Sequence, residues 1–218
     1  MKKKITIVMM GDSITDAGRD RERPTEDFGN GYAAMTAAML REQLPQVDFT
    51  FVNQGLNGNT TPQCAERWDT DVAAYDPDYV TLMIGVNDAY AFSLGVQAEQ
   101  LCAKAYRETL DNLVTHAFAK GAKKILFIMP YYVGKPGVDT EIFNKDTAFV
   151  LPAYRRAFRS IANKYGMPCI DAQKILQRAS QGLPDKYLSP DYVHLNTYGN
   201  AVLANHVVKA LADMIKGK

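Results

Sequence analysis

Met9-Met10-Gly11-Asp12-Ser13-Ile14-Thr15 closes the first apolar run of the chain, and its reading decides the fold. Ile5, Ile7 and Val8 are β-branched, so Lys4 to Met10 reads as a buried strand. Gly11 lets the backbone turn, and the strand delivers Asp12 and Ser13 to its carboxyl end. In open parallel α/β sheets, ligands bind along that edge. A serine placed there is a candidate nucleophile. Gly-Asp-Ser equally suits an ordinary strand-to-helix turn with Asp12 or Ser13 as the N-cap. What separates the two readings is whether later segments supply the partners that a reactive serine needs.

Outward from this stretch, strands and helices alternate. A charged loop, Asp16 to Asn30, precedes a helical pattern from Tyr32 to Leu44 that stops at Pro45. Val47 to Val52 alternates like a strand and runs into Asn53-Gln54-Gly55-Leu56-Asn57-Gly58-Asn59-Thr60. Pro62 to Tyr75 reads as a helix with proline in its first turn. Tyr79 to Ile84 is a second apolar strand, ending in Gly85-Val86-Asn87-Asp88. Gln97 to Lys120 carries a long amphipathic pattern closed by Gly121. Lys124 to Met129 is a strand, Tyr131 to Lys145 a loop, and Thr147 to Tyr165 a helix closed by Gly166. Pro168 to Asp171, Gln173 to Gln181, Gly182 to Asn196 and Tyr198 to Ile215 read as strand, helix, loop and helix. The expectation is an α/β fold: a mostly parallel five-stranded sheet with helices on both faces. No linker, repeat or low-complexity tract interrupts residues 1–218, which read as one domain.

Composition excludes several function classes. The chain has 218 residues, 47% hydrophobic and 22% charged, enough for a sizeable core. Its 25 basic and 24 acidic residues leave a formal net charge of +1, so no electrostatic footprint for nucleic acid or an anionic membrane is expected. Cys64, Cys102 and Cys169 are far apart and odd in number, and read as small core residues of a chain from a reducing compartment. Met1-Lys2-Lys3-Lys4 mimics the start of a signal peptide, but the apolar run that follows is too short for one. The expectation is a soluble cytoplasmic protein; a chain already trimmed of a leader would read the same way. No apolar segment reaches membrane-spanning length.

A serine hydroxyl barely ionises at neutral pH, so nucleophilic use requires a general base within hydrogen-bond reach. Three histidines are available. His116 and His206 fall inside helical patterns, where a structural role is the simpler reading. His194 lies in the loop Ser189-Pro190-Asp191-Tyr192-Val193-His194, and Asp191 can fold its carboxylate back onto the imidazole across one turn. That contact would fix the ring's tautomer and stabilise the imidazolium. The bland alternative is a loop histidine with Asp191 as a cap. Acyl transfer also needs donors aimed at an oxyanion. Gly58 follows the second strand in an open Asn- and Gly-rich turn, and Asn87 follows the third with a neutral side-chain amide. Ser13, Gly58 and Asn87 therefore gather on one edge of a parallel sheet.

Gly11-Asp12-Ser13, Asn53-x-x-x-x-Gly58-x-Thr60, Gly85-x-Asn87-Asp88 and Asp191-x-x-His194, in this order, resemble the SGNH hydrolases, also called GDSL esterases/lipases. The stretches Gly11–Asp16, Gly58-Asn59-Thr60, Glu66-Arg67-Trp68 and Ile84–Asp88 look most like the branch of bacterial carbohydrate acetylesterases such as acetylxylan esterases. The resemblance implies a flavodoxin-like three-layer α/β/α sandwich. It implies Ser13 as nucleophile, His194 as base and Asp191 as the residue that orients it. The oxyanion hole would use the Ser13 and Gly58 backbone N–H groups and the Asn87 amide. Asp12 is expected to brace the serine turn; Asp88, Tyr90 and Tyr192 are expected to support the site or line it. Tyr192 stands where the family often has glycine, so its turn must tolerate a side chain.

Competing signals are weaker. Gly29-Asn30-Gly31-Tyr32-Ala33-Ala34 matches a dinucleotide fingerprint but follows a charged loop instead of a strand. Trp68 reads as core, and Tyr90 and Phe92 either line the site or close the loop. The expected activity is a serine esterase, independent of metal and cofactor, that removes acetyl or other short acyl groups from a carbohydrate through an acyl-enzyme. Its partner would be a small-molecule or oligosaccharide ester; neither nucleic acid nor membrane is expected, and homo-oligomerisation is left open. A lysophospholipase or thioesterase for longer acyl chains is the alternative within the enzyme class. Outside it stands a non-catalytic carbohydrate-binding module on the same fold.

Overall fold

Ile5, Ile7, Val8, Met9 and Met10 are each at most 1% exposed, so the first strand is covered on both faces. A strand that presents apolar side chains to both sides belongs in the middle of a parallel sheet. Strand β1 (Lys3–Gly11) sits between β2 (Val47–Gly55) and β3 (Tyr79–Met83), and β4 (Lys124–Ile128) and β5 (Cys169–Ile170) complete the order β2-β1-β3-β4-β5. Every pairing is parallel. The computed structural model describes residues 2–184 and 186–217. Met1 of the basic N-terminal run and Asp185 of the Gly182–Asn196 loop lie outside the described residues.

The helices between the strands are α1 (Ser13–Asp16), α2 (Tyr32–Gln43), α3 (Thr61–Glu66), α4 (Trp68–Asp71), α5 (Val86–Ser93), α6 (Ala98–Leu101), α7 (Ala103–Ala119), α8 (Thr147–Lys164), α9 (Ala172–Ala179) and α10 (Thr197–Lys216). Helix α10 packs against α2 and α9, while α7 packs against α3 and α8. Two helical layers thus enclose the sheet, the three-layer arrangement that the alternation predicts. Trp68, 1% exposed, belongs to the core between them. Cys64 is buried with it, whereas Cys102 and Cys169 are only partly covered; all three thiols are free. Among the described residues no helix is long and apolar enough to cross a membrane.

Four elements differ from the sequence reading. Strand β2 continues three residues past Val52, because Asn53, Gln54 and Gly55 pair in register with Met9, Met10 and Gly11. The expected helix from Pro62 to Tyr75 is broken at Arg67 into α3, α4 and a 3₁₀ turn at Ala73–Tyr75. Gln97 to Lys120 is divided at Cys102, which adopts an extended conformation between α6 and α7. Val86–Ser93, to which the sequence reading assigns no helix, forms α5 directly after β3. The Gly29–Ala34 match opens α2 after a loop, with no strand before it, so the context of a dinucleotide site is absent there.

One close approach fixes where the first turn lies. A Cβ on Gly55 would stand 2.0 Å from the Asp16 backbone nitrogen and 2.5 Å from the Thr15 carbonyl carbon. Helix α1 therefore rests directly on the end of β2. Asn53 reinforces the contact: its Nδ2 donates to the carbonyls of Thr15 (2.8 Å) and Phe28 (3.0 Å). Overpacking a fitted interior typically costs about 1–3 kcal/mol. Gly55→Ala is expected to lose stability at or above the top of that range, measured by urea unfolding. A loss below about 0.5 kcal/mol, the scale of neutral surface changes, would show that α1 is not pinned there.

Candidate active site

Strand β1 ends level with its neighbours, Gly11 lying opposite Gly55 on β2 and Met83 on β3. The segments that follow these three ends are the Asp12–Ser13 turn, the Gly58 loop and the Gly85–Asn87 turn. They meet at one edge of the sheet, as the order of motifs anticipates. The capping reading of Gly11-Asp12-Ser13 holds. Asp12 is the N-cap of α1, its Oδ1 accepting from the Ile14 N–H at 3.0 Å, and Ser13 is the first helical residue. The early amides of a helix have no intrahelical acceptor, and the Ser13 N–H is the first of them.

His194 reaches that edge from the loop before α10. Its Nε2 lies 2.8 Å from Ser13 Oγ, and its Nδ1 lies 2.6 Å from Asp191 Oδ2. The other carboxylate oxygen accepts from the backbone N–H groups of Val193 (2.9 Å) and His194 (2.7 Å) and from the Ser189 hydroxyl (3.0 Å). Burial pulls the Asp191 carboxyl upward, but the Val193 N–H, the His194 ring and the His194 N–H outweigh it and hold the group below the usual carboxylate range. An ionised Asp191 accepting from Nδ1–H leaves Nε2 as the proton acceptor facing Ser13. This arrangement can draw the hydroxyl proton as the oxygen attacks.

The turn carrying this pair is fastened to the segment after β4. The Tyr131 hydroxyl donates to the Val193 carbonyl at 2.8 Å, and the Val133 N–H donates to the Tyr192 carbonyl at 3.0 Å. Tyr192 has φ of +70°, a left-handed conformation that costs a non-glycine residue roughly 1–2 kcal/mol. Its ring joins a row of aromatic contacts, Tyr192–Tyr132–Phe143–Tyr90, with centroids 6.5, 5.8 and 4.6 Å apart. Tyr90 and Tyr192 are thus the two ends of a wall beside the triad turn. Neither lines the small cavity at Ser13, which is formed by Ser13, Ile14, Ala17, Asn30, His194, Leu195 and Asn200.

Gly58 has φ of +75°, and a Cβ there would meet no atom within 4 Å. Nothing packs on the tip of its loop; polar contacts on its flanks hold it. Asn87 Nδ2 donates to the Asn59 carbonyl at 3.0 Å, and both Asp88 oxygens accept from the Thr61 N–H at 3.0 and 3.1 Å. Asp88 is a buried brace under the loop. Sequence reasoning singles out Asn87 and Gly58, misses Tyr131, and quotes Asn53, Asn59 and Arg67 only within matching stretches. The contacts of these four join residues distant in sequence. His116 and His206 stay apart from the site, pairing with Asp69 and the Val202 carbonyl. Among the described residues no three or more His, Cys, Asp or Glu side chains gather so as to hold a metal ion.

Comparison with known proteins finds relatives along nearly the whole chain. The GDSL-like lipase/acylhydrolase family model matches residues 9–202. An acetylxylan esterase of Geobacillus stearothermophilus is 30% identical over 212 residues, covering 94% of this chain and 93% of that one. The crystal structure of Axe2, an acetylxylan esterase from that organism, aligns with a TM-score of 0.83 at 28% identity, covering 97% and 96% of the two chains. Its solved forms include catalytic mutants in which a serine, an aspartate and a histidine are each replaced by alanine. LAE5, an alpha/beta hydrolase enzyme from the metagenome of Lake Arreo, Spain, aligns with a TM-score of 0.85 at 32% identity, covering 97% of both chains.

Two buried carboxyls behind the site give it a pH signature. Burial, reinforced by the Asp88 charge, pushes Asp12 up to about 7 from the ordinary 3.8, and burial pushes Asp88 up to about 7. Between about pH 4 and pH 7 the folded chain holds protons on these groups that the unfolded chain has released. Their contribution to stability therefore falls as pH rises across that window, by up to about 1.4 kcal/mol per pH unit for each carboxyl. Asp88→Asn keeps an acceptor for the Thr61 N–H and removes one titrating group. It is expected to be more stable relative to wild type at about pH 8 than at about pH 5 in urea unfolding. An identical difference at both values would remove Asp88 from this account.

Proposed function

The chain belongs to the GDSL-like lipase/acylhydrolase family and is a carboxylic ester hydrolase, and we propose that it removes short acyl groups, acetyl foremost, from a carbohydrate through an acyl-enzyme on Ser13. The observation that carries this reading is the unbroken relay from Ser13 Oγ through His194 to Asp191, at 2.8 and 2.6 Å. In it, Ser13 Oγ attacks the ester carbonyl while His194 Nε2 takes its proton. Negative charge then develops on the former carbonyl oxygen, toward which the Ser13 N–H, the Gly58 N–H and the Asn87 amide donate. Donors fixed in advance around such a charge typically supply a large share of catalysis. His194 returns the proton to the departing alcohol oxygen, leaving the acyl group on Ser13. A water molecule, deprotonated by His194, then attacks the acyl carbon; the acid leaves and Ser13 recovers its proton.

The surroundings support a short acyl group and a neutral alcohol. The cavity touching both Ser13 and His194 has a volume of about 160 Å³, below the roughly 300–1,000 Å³ of clefts that bury drug-sized ligands. Ile14, Ala17 and Leu195 give it an apolar side suited to a methyl group. Beyond the loop, a groove of about 870 Å³ begins at Gly58 and Thr60; Gln63, Gln97, Thr109 and Asn112 line it together with the carboxylates of Glu66 and Glu108 and with apolar residues such as Val96 and Leu101. Amides and hydroxyls match sugar hydroxyls in donor and acceptor character. Neither Lys nor Arg is among the described residues lining it, so it offers no counter-charge to the phosphates of a lysophospholipid or a nucleotide thioester.

Hydrolysis of p-nitrophenyl acetate tests the nucleophile. Ser13→Ala is expected to lose at least about 10³-fold in kcat, and Asp191→Asn about 10²–10⁴-fold with the fold intact. Activity surviving Ser13→Ala would sink the assignment. With the wild type, kcat/KM is expected to fall at least tenfold from acetate to octanoate esters. Acetylated xylo-oligosaccharides are expected to release acetate. A preference for the long chain would favour the lysophospholipase or thioesterase alternative. Failure of Ser13 to react with a fluorophosphonate would favour the non-catalytic one.

A further inference from the structure

Arg67 is the residue at which the expected helix from Pro62 to Tyr75 breaks, with φ −98° and ψ 10° between α3 and α4. Its side chain is only 15% exposed. All five of its N–H donors have an acceptor. Nε donates to Asn59 Oδ1 at 2.7 Å. One terminal nitrogen, Nη1, donates to the Gln54 carbonyl at 3.0 Å and to Asp71 Oδ2 at 2.6 Å. The other, Nη2, donates to the Gly11 carbonyl at 3.1 Å and lies 3.8 Å from Cys64 Sγ.

These acceptors are not a random set of core oxygens. Gly11 is two residues before Ser13, Gln54 is at the end of β2, and Asn59 follows Gly58 directly. The Gly11 carbonyl also accepts from the Leu56 N–H at 3.1 Å, at the entry to the Gly58 loop. One planar cation therefore touches the segment leading to the nucleophile and the segment carrying an oxyanion donor. The side-chain ties from Asn87 and Asp88 run from the loop to α5. Gly58 itself is exposed, with open space where a side chain would project.

We infer that Arg67 is a positioning residue, which sets the distance between Ser13 and the Gly58 N–H by bridging Gly11 and Asn59. This rests on the proposed reading of Ser13 as the nucleophile and of Gly58 as an oxyanion donor. A guanidinium suits the task because its donors are locked in one plane, whereas an ammonium is a point charge on a flexible stem. Arg67 touches neither Ser13 nor the cavity beside it, so its effect is felt through geometry. An oxyanion donor matters most when charge has developed on the substrate, so displacing it lowers kcat and leaves substrate binding nearly unchanged.

The experiment compares Arg67→Lys and Asn59→Ala with wild type on p-nitrophenyl acetate, and measures inhibition by phenylboronic acid. The boron atom adds to the serine Oγ as a tetrahedral anion and so reports on the hole directly. Arg67→Lys keeps the charge and loses the fork; Asn59→Ala keeps the arginine and removes its partner on the loop. Each is expected to lower kcat about tenfold to a hundredfold, the scale of a misplaced catalytic group. KM is expected to stay within about twofold, and the inhibition constant to rise in parallel with the fall in kcat. A normal kcat in Asn59→Ala overturns the inference, whatever Arg67→Lys does, and so does a fall in kcat with unchanged boronate affinity. Should Arg67→Lys fail to fold, Asn59→Ala alone decides. Normal rates in both variants beside an inactive Ser13→Ala would sink this inference only; an active Ser13→Ala would sink the reading beneath it.

Discussion

The contact on which the carboxyl edge of the sheet depends is the seating of α1 on the ends of β1 and β2. At Gly55 the backbone of β2 approaches Asp16 and Thr15 so closely that no side chain fits between them. Neighbouring side chains then have to satisfy the polar groups that this contact buries, since an orphaned buried donor or acceptor costs about 1–3 kcal/mol. Asn53 takes the Thr15 carbonyl, and Arg19 donates to the Gly55 carbonyl through Nε at 3.2 Å and Nη2 at 3.0 Å. Asp12 takes the Ile14 N–H from the other end of the turn. The apolar sheet thus carries a polar rim at its carboxyl edge. Ser13 sits on that rim, at the start of α1.

Burying ionisable groups in such a rim is expensive, and the structure spreads the expense over two kinds of device. Asp12 and Asp88 are almost fully buried and accept from backbone N–H groups, and they answer by holding protons up to about pH 7. Arg67 cannot shed its proton, because a guanidinium stays charged in proteins. It is stabilised by pairing with Asp71 and by filling its remaining donors with carbonyls. Removing one partner of a buried charge commonly costs more than the pair contributes. These groups are therefore poorly explained as sources of stability. They make sense as constraints that select one arrangement of the loops.

The legibility of the site in the sequence follows from how local each contact is. Asp191 and His194 were readable because a carboxylate three residues before a histidine meets it across a single turn. Ser13, Gly58 and Asn87 were readable because each comes directly after an apolar strand, and parallel register does the rest. Arg67 was not, since the Pro62–Tyr75 pattern is helical by its own composition and only the distant carbonyls of Gly11 and Gln54 explain the break. Helix α5 was hidden for a related reason: Gly85-Val86-Asn87-Asp88 has the composition of a turn, and the helix it starts is eight residues long. Asp12 was read correctly as a brace, whereas Asp88 could be placed only near the site, because its partner, the Thr61 N–H, lies on another segment.

Asn87 shows how little freedom is left. Its side-chain amide has two N–H donors and one carbonyl, and rotation by half a turn would exchange them. The contact with the Asn59 carbonyl decides the orientation, because only the nitrogen can donate there. That bond occupies one hydrogen and leaves the second. Under the proposed mechanism the second hydrogen meets the oxyanion, so the bond that ties Asn87 to the Gly58 loop also determines that a donor, and not a lone pair, faces the developing charge. The loop and the amide therefore orient one another before substrate arrives, which is the condition for stabilising charge without reorganisation during the reaction.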